Sequence, residues 1–411
     1  MSNFLTSIHI NKIFHLENFD IPIDENEKKH LIITGKNGSG KTSLLNALVE
    51  FFQIIQEDGG TASFLEYEGN VKFWESVLIK QKNQKVQSNI VRKTEDNIKR
   101  WKDRFILTYK NLNPKFNNII ELSGNVKDEN FLFAFYTANR KTKVTIPKNP
   151  EKPNLEPSVK IIDSKQGEFV KFLVDLKIQE ALARNENQIS DANKIKEWFD
   201  NFEQLLSEIF EGSKVTLNFN YKDYSFTINQ DGREFGFNEL SDGYSAIIDI
   251  IADLILKMQT SNSLTRAYEK EGIVLIDEIE THLHLELQRL ILPMLTRVFP
   301  NIQFIVTTHS PFVLSSIPNA VAYDLEKKQR LEDLTEYSYE ALAEGYFKVK
   351  TESNFLQAKL DRFKELAEKA EKDTAEKAEY ESLDKEFREL DETLAPQHVI
   401  GSYRQIKLAA Q

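Results

Sequence analysis

His30-Leu31-Ile32-Ile33-Thr34 runs into Gly35-Lys36-Asn37-Gly38-Ser39-Gly40-Lys41-Thr42, and then into Ser43-Leu44-Leu45-Asn46-Ala47-Leu48-Val49. The first stretch is a short continuous apolar run, as in a buried strand. The last repeats apolar residues at helical spacing. The eight residues between them fit G-x-x-x-x-G-K-[ST], a pattern that carries meaning only in this strand–loop–helix order. Its glycines let the backbone close around phosphate oxygens, so that N–H groups form a cradle. The helix that begins there adds its positive N-terminal end. Lys41 is placed to reach the β and γ phosphates, and Thr42 to hold Mg2+ through its hydroxyl. The stretch therefore predicts a nucleoside triphosphate, bound by Gly35, Lys36, Asn37, Gly38, Ser39, Gly40, Lys41, Thr42 and Ser43.

A second half for such a site stands at Gly272-Ile273-Val274-Leu275-Ile276-Asp277-Glu278. Four apolar residues make a central strand, and Asp277 at its carboxyl end would bind Mg2+, partly through water. Glu278 is placed to polarise the attacking water. A surface turn would explain an isolated Asp-Glu pair. The apolar run before it and the glycine loop earlier in the chain favour the catalytic reading.

Leu240-Ser241-Asp242-Gly243-Tyr244-Ser245 resembles the signature motif of ABC-type ATPases and, as in that family, precedes the Asp277-Glu278 strand. The family pattern is Leu-Ser-Gly-Gly followed by Gln or Glu. Asp242 and Tyr244 depart from it; Ser241 and Gly243 match. The resemblance implies that Ser241 and Gly243 touch the γ-phosphate of ATP held by a second copy. His309, in Val306-Thr307-Thr308-His309-Ser310-Pro311, resembles the family's switch histidine, whereas a lone His after a strand is more often structural. With Asp277-Glu278-Ile279-Glu280-Thr281-His282-Leu283-His284, it is similar to the SMC/RecF-like and OLD-like branch. Ile279 stands where a Pro is usual, and Leu285 where a Pro often follows the second His; both departures bear on the shape of this loop. Phe135-Tyr136-Thr137-Ala138-Asn139-Arg140 resembles the same branch, where an Arg or Gln at the strand end senses nucleotide. That makes Arg140 a candidate ATP ligand. His282 and His284 could be read as a metal pair, but with no third ligand in view they read as loop residues.

The chain has 411 residues, 40% hydrophobic and 28% charged, an ordinary soluble balance. No apolar run approaches the roughly 18 residues of a transmembrane helix, and residues 1–19 lack the layout of a signal peptide. The absence of cysteine rules out disulfides and thiolate metal sites and fits a reducing compartment. A cytoplasmic protein with no membrane partner is expected. A net charge of −11 repels nucleic acid, so any DNA contact needs a local basic patch. Residues 79–104 offer one, with nine Lys or Arg against three acids and Trp101 among them; a solvated helix face is the plainer explanation.

Continuous apolar strands alternating with helices at residues 241–257, 272–276, 285–299 and 302–307 predict a mainly parallel sheet covered on both faces. The expected fold is α/β: an ABC-type P-loop ATPase head, with an antiparallel N-terminal β part, a helical insertion and a C-terminal helical pair. The expected divisions are residues 1–57 for the first half of the head and 58–212 for an insertion. That insertion carries the basic stretch 80–104, a strand at 131–137 and a Pro-rich linker at 147–157. The second half of the head follows at 213–326 and a helical region at 327–411. In the tail, Leu356, Leu360, Phe363, Ala367 and Ala370, and again Leu383, Phe387, Leu390 and Leu394, repeat at four and three. Asp373-Thr374-Ala375-Glu376 starts the second helix, and Pro396 stops it.

The motifs resemble those of stand-alone ATPases of bacterial anti-phage systems such as Septu and PARIS. That likeness implies slow, regulated ATP hydrolysis with Mg2+ by Lys41, Glu278 and His309, with Thr42 and Asp277 on the metal. It implies a homodimer around ATP, or a higher homo-oligomer. It further implies a separate effector, a nuclease in this reading, and a DNA or phage-derived trigger. The alternative is a RecF/SMC-like DNA repair or chromosome maintenance ATPase, which duplex DNA would stimulate. A transporter subunit or a non-hydrolysing scaffold is disfavoured by residues 280–284 and by Glu278 respectively.

Overall fold

A computed structural model describes residues 3–57, 67–139, 145, 147, 149, 151–155, 160–259, 270–331, 334–346, 354–390 and 397–409. Two antiparallel strands open the chain, β1 (Leu5–Ile13) and β2 (Leu16–Pro22), before β3 (His30–Thr34), whose five residues are all buried. α1 (Lys41–Glu57) leaves the glycine loop and buries Leu44, Leu48, Phe51, Phe52 and Ile55 on one stripe, the spacing of a helix laid on a core. Phe52 stacks on Phe133 with ring centroids 4.7 Å apart. α2 (Tyr67–Asn83) and α3 (Ser88–Tyr109) pair as a hairpin, joined by ion pairs Lys82–Glu95 and Lys102–Glu75. β4 (Leu112–Phe116), α4 (Ile119–Lys127) and β5 (Phe131–Tyr136) return to the sheets.

The apolar periodicity of residues 169–212 predicts a long helix broken near residues 185–191; it is α5 (Phe169–Asn185) and α6 (Ile189–Ile209), parted where Asn187 takes a φ of +58°. β6 (Val215–Asn220), β7 (Ser225–Gln230) and β8 (Arg233–Gly236) form a small antiparallel sheet. Its last turn is Asp231-Gly232, both at positive φ, as a tight hairpin turn requires. Then come α7 (Asp242–Met258), β9 (Glu271–Ile276), α8 (Leu285–Val298), β10 (Ile302–Thr307), α9 (Pro311–Leu314), β11 (Ala320–Asp324) and β12 (Gln329–Leu331).

The main sheet has the order β12–β11–β3–β10–β9–β5. β11, β3, β10, β9 and β5 are mutually parallel, and β12 runs antiparallel at one edge. β10 thus lies between β3 and β9, so the glycine loop and Asp277 leave the sheet at one end, with the end of β10 between them. The second sheet is antiparallel, β2–β1–β4. The fully buried Gln303 of β10 ties the two sheets: its Oε1 accepts from Leu5 N at 2.8 Å, and its Nε2 donates to Leu5 O at 3.0 Å. The parallel sheet with an antiparallel N-terminal part is the expected architecture. The expected insertion at 58–212 supplies a strand to each of these two sheets. β4 and β5 fall inside it, and β4 pairs with β1 and β5 with β9. β12 lies past residue 326 and is still a strand of the main sheet.

Residues 336–411 form a second compact unit. It holds α10 (Tyr339–Ala341), α11 (Asn354–Glu368), α12 (Thr374–Glu389) and α13 (Gln397–Ala409). The expected pair is α11 and α12, and Asp373 caps α12: its Oδ1 accepts from Glu376 N at 2.8 Å, and Glu376 Oε2 accepts from Asp373 N at 3.1 Å. The pair becomes a trio because helix resumes after Pro396, which itself lies outside the described residues. Val399 and Tyr403 of α13 join Phe363, Leu366 and Phe387 in one core, and Asp384 accepts from Tyr403 Oη at 2.6 Å.

Candidate active site

Beyond β3, Gly35, Gly38 and Gly40 take φ values of +136°, +82° and +98°, a region costly for any side chain. At Gly40 space is limiting as well: a Cβ there would lie 2.9 Å from Leu16 Cδ1. The loop is therefore closed against the turn between β1 and β2, where His15 Nε2 lies 3.2 Å from Ser39 O. Ser39 is buried and its Oγ has no partner among the described residues. Asn37 and Gly38 are exposed and Ser43 half-buried. Lys36 points outward to Glu326 Oε1 at 2.9 Å. Lys41 turns inward and is buried, its Nζ donating to Gly35 O at 2.9 Å and Lys36 O at 3.2 Å. Burial holds its ammonium below the ordinary lysine range, against the opposing pull of Glu278, Glu280, Asp277 and Asp324.

A chain of hydroxyl and carboxylate bonds crosses the strand ends. Thr42 Oγ1 donates to Asp277 Oδ2 at 2.9 Å, and Thr307 Oγ1 donates to Asp277 Oδ1 at 2.6 Å. The same Thr307 oxygen accepts from Glu278 N at 2.7 Å, and Thr307 O accepts from Ile279 N at 3.1 Å. A proline at position 279 could not make that last bond, so the departure at Ile279 gives the loop an extra tie to β10. Glu278 sits at a φ of +45°. A non-glycine residue there is strained by about 1 kcal/mol or more and is held only where neighbours over-determine it; its N–H and that of Ile279 are the fixings. Thr281 Oγ1 donates to Glu278 Oε2 at 3.3 Å.

His309 follows β10. Its main-chain N–H donates to Glu280 Oε1, while its ring Nε2 is buried without a partner among the described residues. Burial, reinforced by the Lys41 charge, lowers its pKa below the usual imidazole value, against the opposing pull of Glu280, Glu278 and Asp277. Ser310 Oγ donates to Gln288 Oε1 at 2.6 Å, and Gln288 Nε2 donates to Leu283 O at 2.8 Å.

The signature residues stand at the head of α7. Ser241 is exposed and is the N-cap of the helix. Gly243 is buried, and a Cβ on it would lie 2.8 Å from His282 O. His282 itself has a φ of +68°, so the 278–284 loop presses its backbone onto the start of α7. His284 engages Glu211 Oε1 at 2.9 Å. Among the described residues no group of three or more His, Asp and Glu gathers as a metal cluster. Arg140 lies outside the described residues.

The glycine loop, Lys41, Thr42, Asp277, Glu278 and His309 are thus brought together. Their donor set fits a triphosphate with Mg2+: main-chain N–H groups, one ammonium, and a hydroxyl–carboxylate oxygen pair suited to a hard cation. Sequence reasoning passed over Thr307, Glu280, Gln288 and His15. A threonine ending a buried strand beside the Asp-Glu strand was the available signal for Thr307. Nothing in sequence spacing marks the others. Among the described residues no helix is long and apolar enough to cross a membrane.

Three relatives match over short stretches. The Retron Vc95 probable ATPase of Vibrio cholerae serotype O1 biovar El Tor is 41% identical over 92 residues, 22% of this chain and 18% of that protein. The Septu protein PtuA of Bacillus mycoides (strain KBAB4) is 44% identical over 93 residues, 22% of this chain and 13% of that protein. The Retron Ec83 probable ATPase of Escherichia coli is 42% identical over 93 residues, 22% of this chain and 17% of that protein. The matched stretch is less than a fifth of the length of each. Among solved structures, an SMC head bound to the C-winged helix domain of ScpA is 13% identical with a TM-score of 0.33, covering 80% of this chain and 96% of that one. The SMC head domain from Thermotoga maritima is 13% identical with a TM-score of 0.34, covering 77% and 94%. The family described as "AAA domain, putative AbiEii toxin, Type IV TA system" matches residues 31–315, a span that contains the glycine loop, the Asp277-Glu278 strand end and His309. The chain belongs to that family.

Proposed function

We propose that the chain binds ATP with Mg2+ and hydrolyses it, and that two copies close around the nucleotide to control a separate effector in anti-phage defence. The observation that carries the ATPase reading is the 2.9 Å bond from Thr42 to Asp277, 235 residues apart in sequence. It sets the hydroxyl after the glycine loop against the carboxylate at the end of β9. Bound Mg2+ would neutralise phosphate charge between those two oxygens. Lys41 neutralises the β and γ phosphates, and main-chain N–H groups of the glycine loop orient them. Glu278, held rigidly beside Asp277, takes a proton from the attacking water. His309 orients the γ-phosphate end of the site. Ser241 is exposed, as it must be if it serves a nucleotide held by another copy. Phe14, 80% exposed beside His15 on the turn that braces the glycine loop, offers a surface on which the base can stack.

The defence role is supported by the names of the retron and Septu relatives. The effector, a nuclease in this reading, and a DNA or phage-derived trigger follow by analogy with such systems. On α3, Arg92, Lys93, Lys99 and Arg100 are exposed around Asp96, a face of net positive charge on which such a trigger could bind. Glu278→Gln tests the reading. The amide keeps the shape of the carboxylate and cannot act as base, so ATP affinity should stay within about threefold while hydrolysis falls at least a hundredfold. Light scattering should show the variant held as a dimer by ATP. Unchanged turnover would remove Glu278 as the base; unchanged assembly would remove the two-copy site.

A further inference from the structure

Glu280 is two residues past the proposed base, and its carboxylate is engaged in an unusual way. One oxygen accepts the main-chain N–H of His309, and the other is buried with no partner among the described residues. The residue is half-buried, and an oxygen withdrawn from water is tolerated where the group's other bond is needed. The bond it makes joins two loops that leave different strands. The 278–284 loop leaves β9, and its turn is closed by Thr281 N to Glu278 O at 3.0 Å and Leu283 N to Glu280 O at 2.9 Å. The 308–310 segment leaves β10. A second tie, Gln288 between Leu283 O and Ser310 Oγ, lies on the α8 side. Of the two, the Glu280 bond grips His309 itself.

We propose that Glu280 is a positioning residue: granted that this site hydrolyses ATP, its carboxylate fixes the backbone of His309 relative to Glu278, so that histidine and base are set as one unit. The role requires an acceptor oxygen at position 280, and a carboxylate supplies the strongest one. A main-chain N–H bound to an ionised acceptor is held more strongly than one bound to a neutral group. The placement also gives the 278–284 loop a way to report on the switch segment, since moving one moves the other.

Four variants test this: Glu280→Ala, Glu280→Gln, His309→Ala and the double variant Glu280→Ala/His309→Ala. ATP hydrolysis and ATP binding are followed in each, and hydrogen exchange of the His309 amide in the two Glu280 single variants. Glu280→Ala should lower kcat about tenfold or more, leave ATP affinity within about threefold, and speed exchange at the His309 amide. Glu280→Gln keeps an acceptor oxygen and should restore most of both. Adding Glu280→Ala to His309→Ala should cost little further, because the two act through one element. Fully additive losses, wild-type kcat in Glu280→Ala, or Glu280→Gln as impaired as Glu280→Ala would each overturn the assignment. Should Glu280→Ala fail to fold, Glu280→Asp, one methylene too short to reach, takes its place with the same expectation. Absence of hydrolysis by the wild-type chain would overturn the ATPase reading itself, and this inference with it; an active wild type with an indifferent Glu280 overturns this inference alone.

Discussion

A buried histidine at the opposite end of β3 from the glycine loop sets a pH limit on the sheet. His30 begins β3, and its Nδ1 accepts the N–H of Phe304 on β10 at 3.0 Å. Acceptance requires the neutral ring. Burial, with the charge of Lys28 adding to it, pushes its pKa from 6.5 down to about 4. The unfolded chain therefore binds the proton first as pH falls. The stabilisation is complete above about pH 6.5, is lost between there and about 4, and amounts to roughly 3 kcal/mol. Urea unfolding at pH 7 and pH 4 should show the wild type losing more stability than His30→Asn, whose amide oxygen accepts the same N–H without titrating. Parallel curves would mean that His30 is not the group responsible. The strand was evident from His-Leu-Ile-Ile-Thr, but the bond was not: nothing in the sequence says that this imidazole faces a main-chain N–H 274 residues away.

At the level of elements, the 278–284 loop is the meeting point of the site. It touches β10 through Thr307, His309 through Glu280, and α7 through the close approach of His282 O to Gly243. Gly243→Ala should therefore do more than a surface glycine change. Its Cβ would lie 2.8 Å from a backbone oxygen, with no flexible side chain to give way, so loop and helix must part. The expected result is a fall in kcat of at least tenfold with ATP binding by the same chain nearly intact, read by steady-state hydrolysis against equilibrium nucleotide binding. Normal turnover would show that the loop and α7 separate freely. The motif-bearing elements were legible because each pairs an unbroken apolar strand with polar residues at its carboxyl end. β4, Leu-Asn-Pro-Lys-Phe, was not, since its pattern is broken by Pro114 and Lys115 and only pairing with β1 makes it a strand. β11 and α13 escaped for other reasons: two of the four apolar residues of β11 are alanines, weak strand formers, and α13 follows Pro396, a residue that reads as a stop. The roles of Thr307 and Glu280 depend on which loops meet, and spacing along one chain does not carry that.

Taken whole, the molecule is two units, residues 1–335 and 336–411. Every motif of the proposed site lies in the first. The second has its own core around Phe363, Phe387 and Tyr403, which covers much of its apolar stripes; Ala370 is exposed and Leu394 lies outside the described residues. Removing residues 336–411 should leave ATP binding within about threefold and, if the unit serves assembly or effector docking, reduce particle size or effector capture. Nucleotide binding, light scattering and co-purification decide between these. Loss of ATP binding would mean that the first unit does not stand without the second. The sheet order carries a further consequence, for synthesis. β3 is flanked by β10 and β11, so the strand that launches the glycine loop leaves the ribosome long before either neighbour exists. At roughly 5–20 residues per second, the nascent chain spends on the order of ten seconds or more with β3 lacking both of its sheet neighbours. Until β10 and β11 have been made, this chain offers chaperones an unpaired apolar strand to hold.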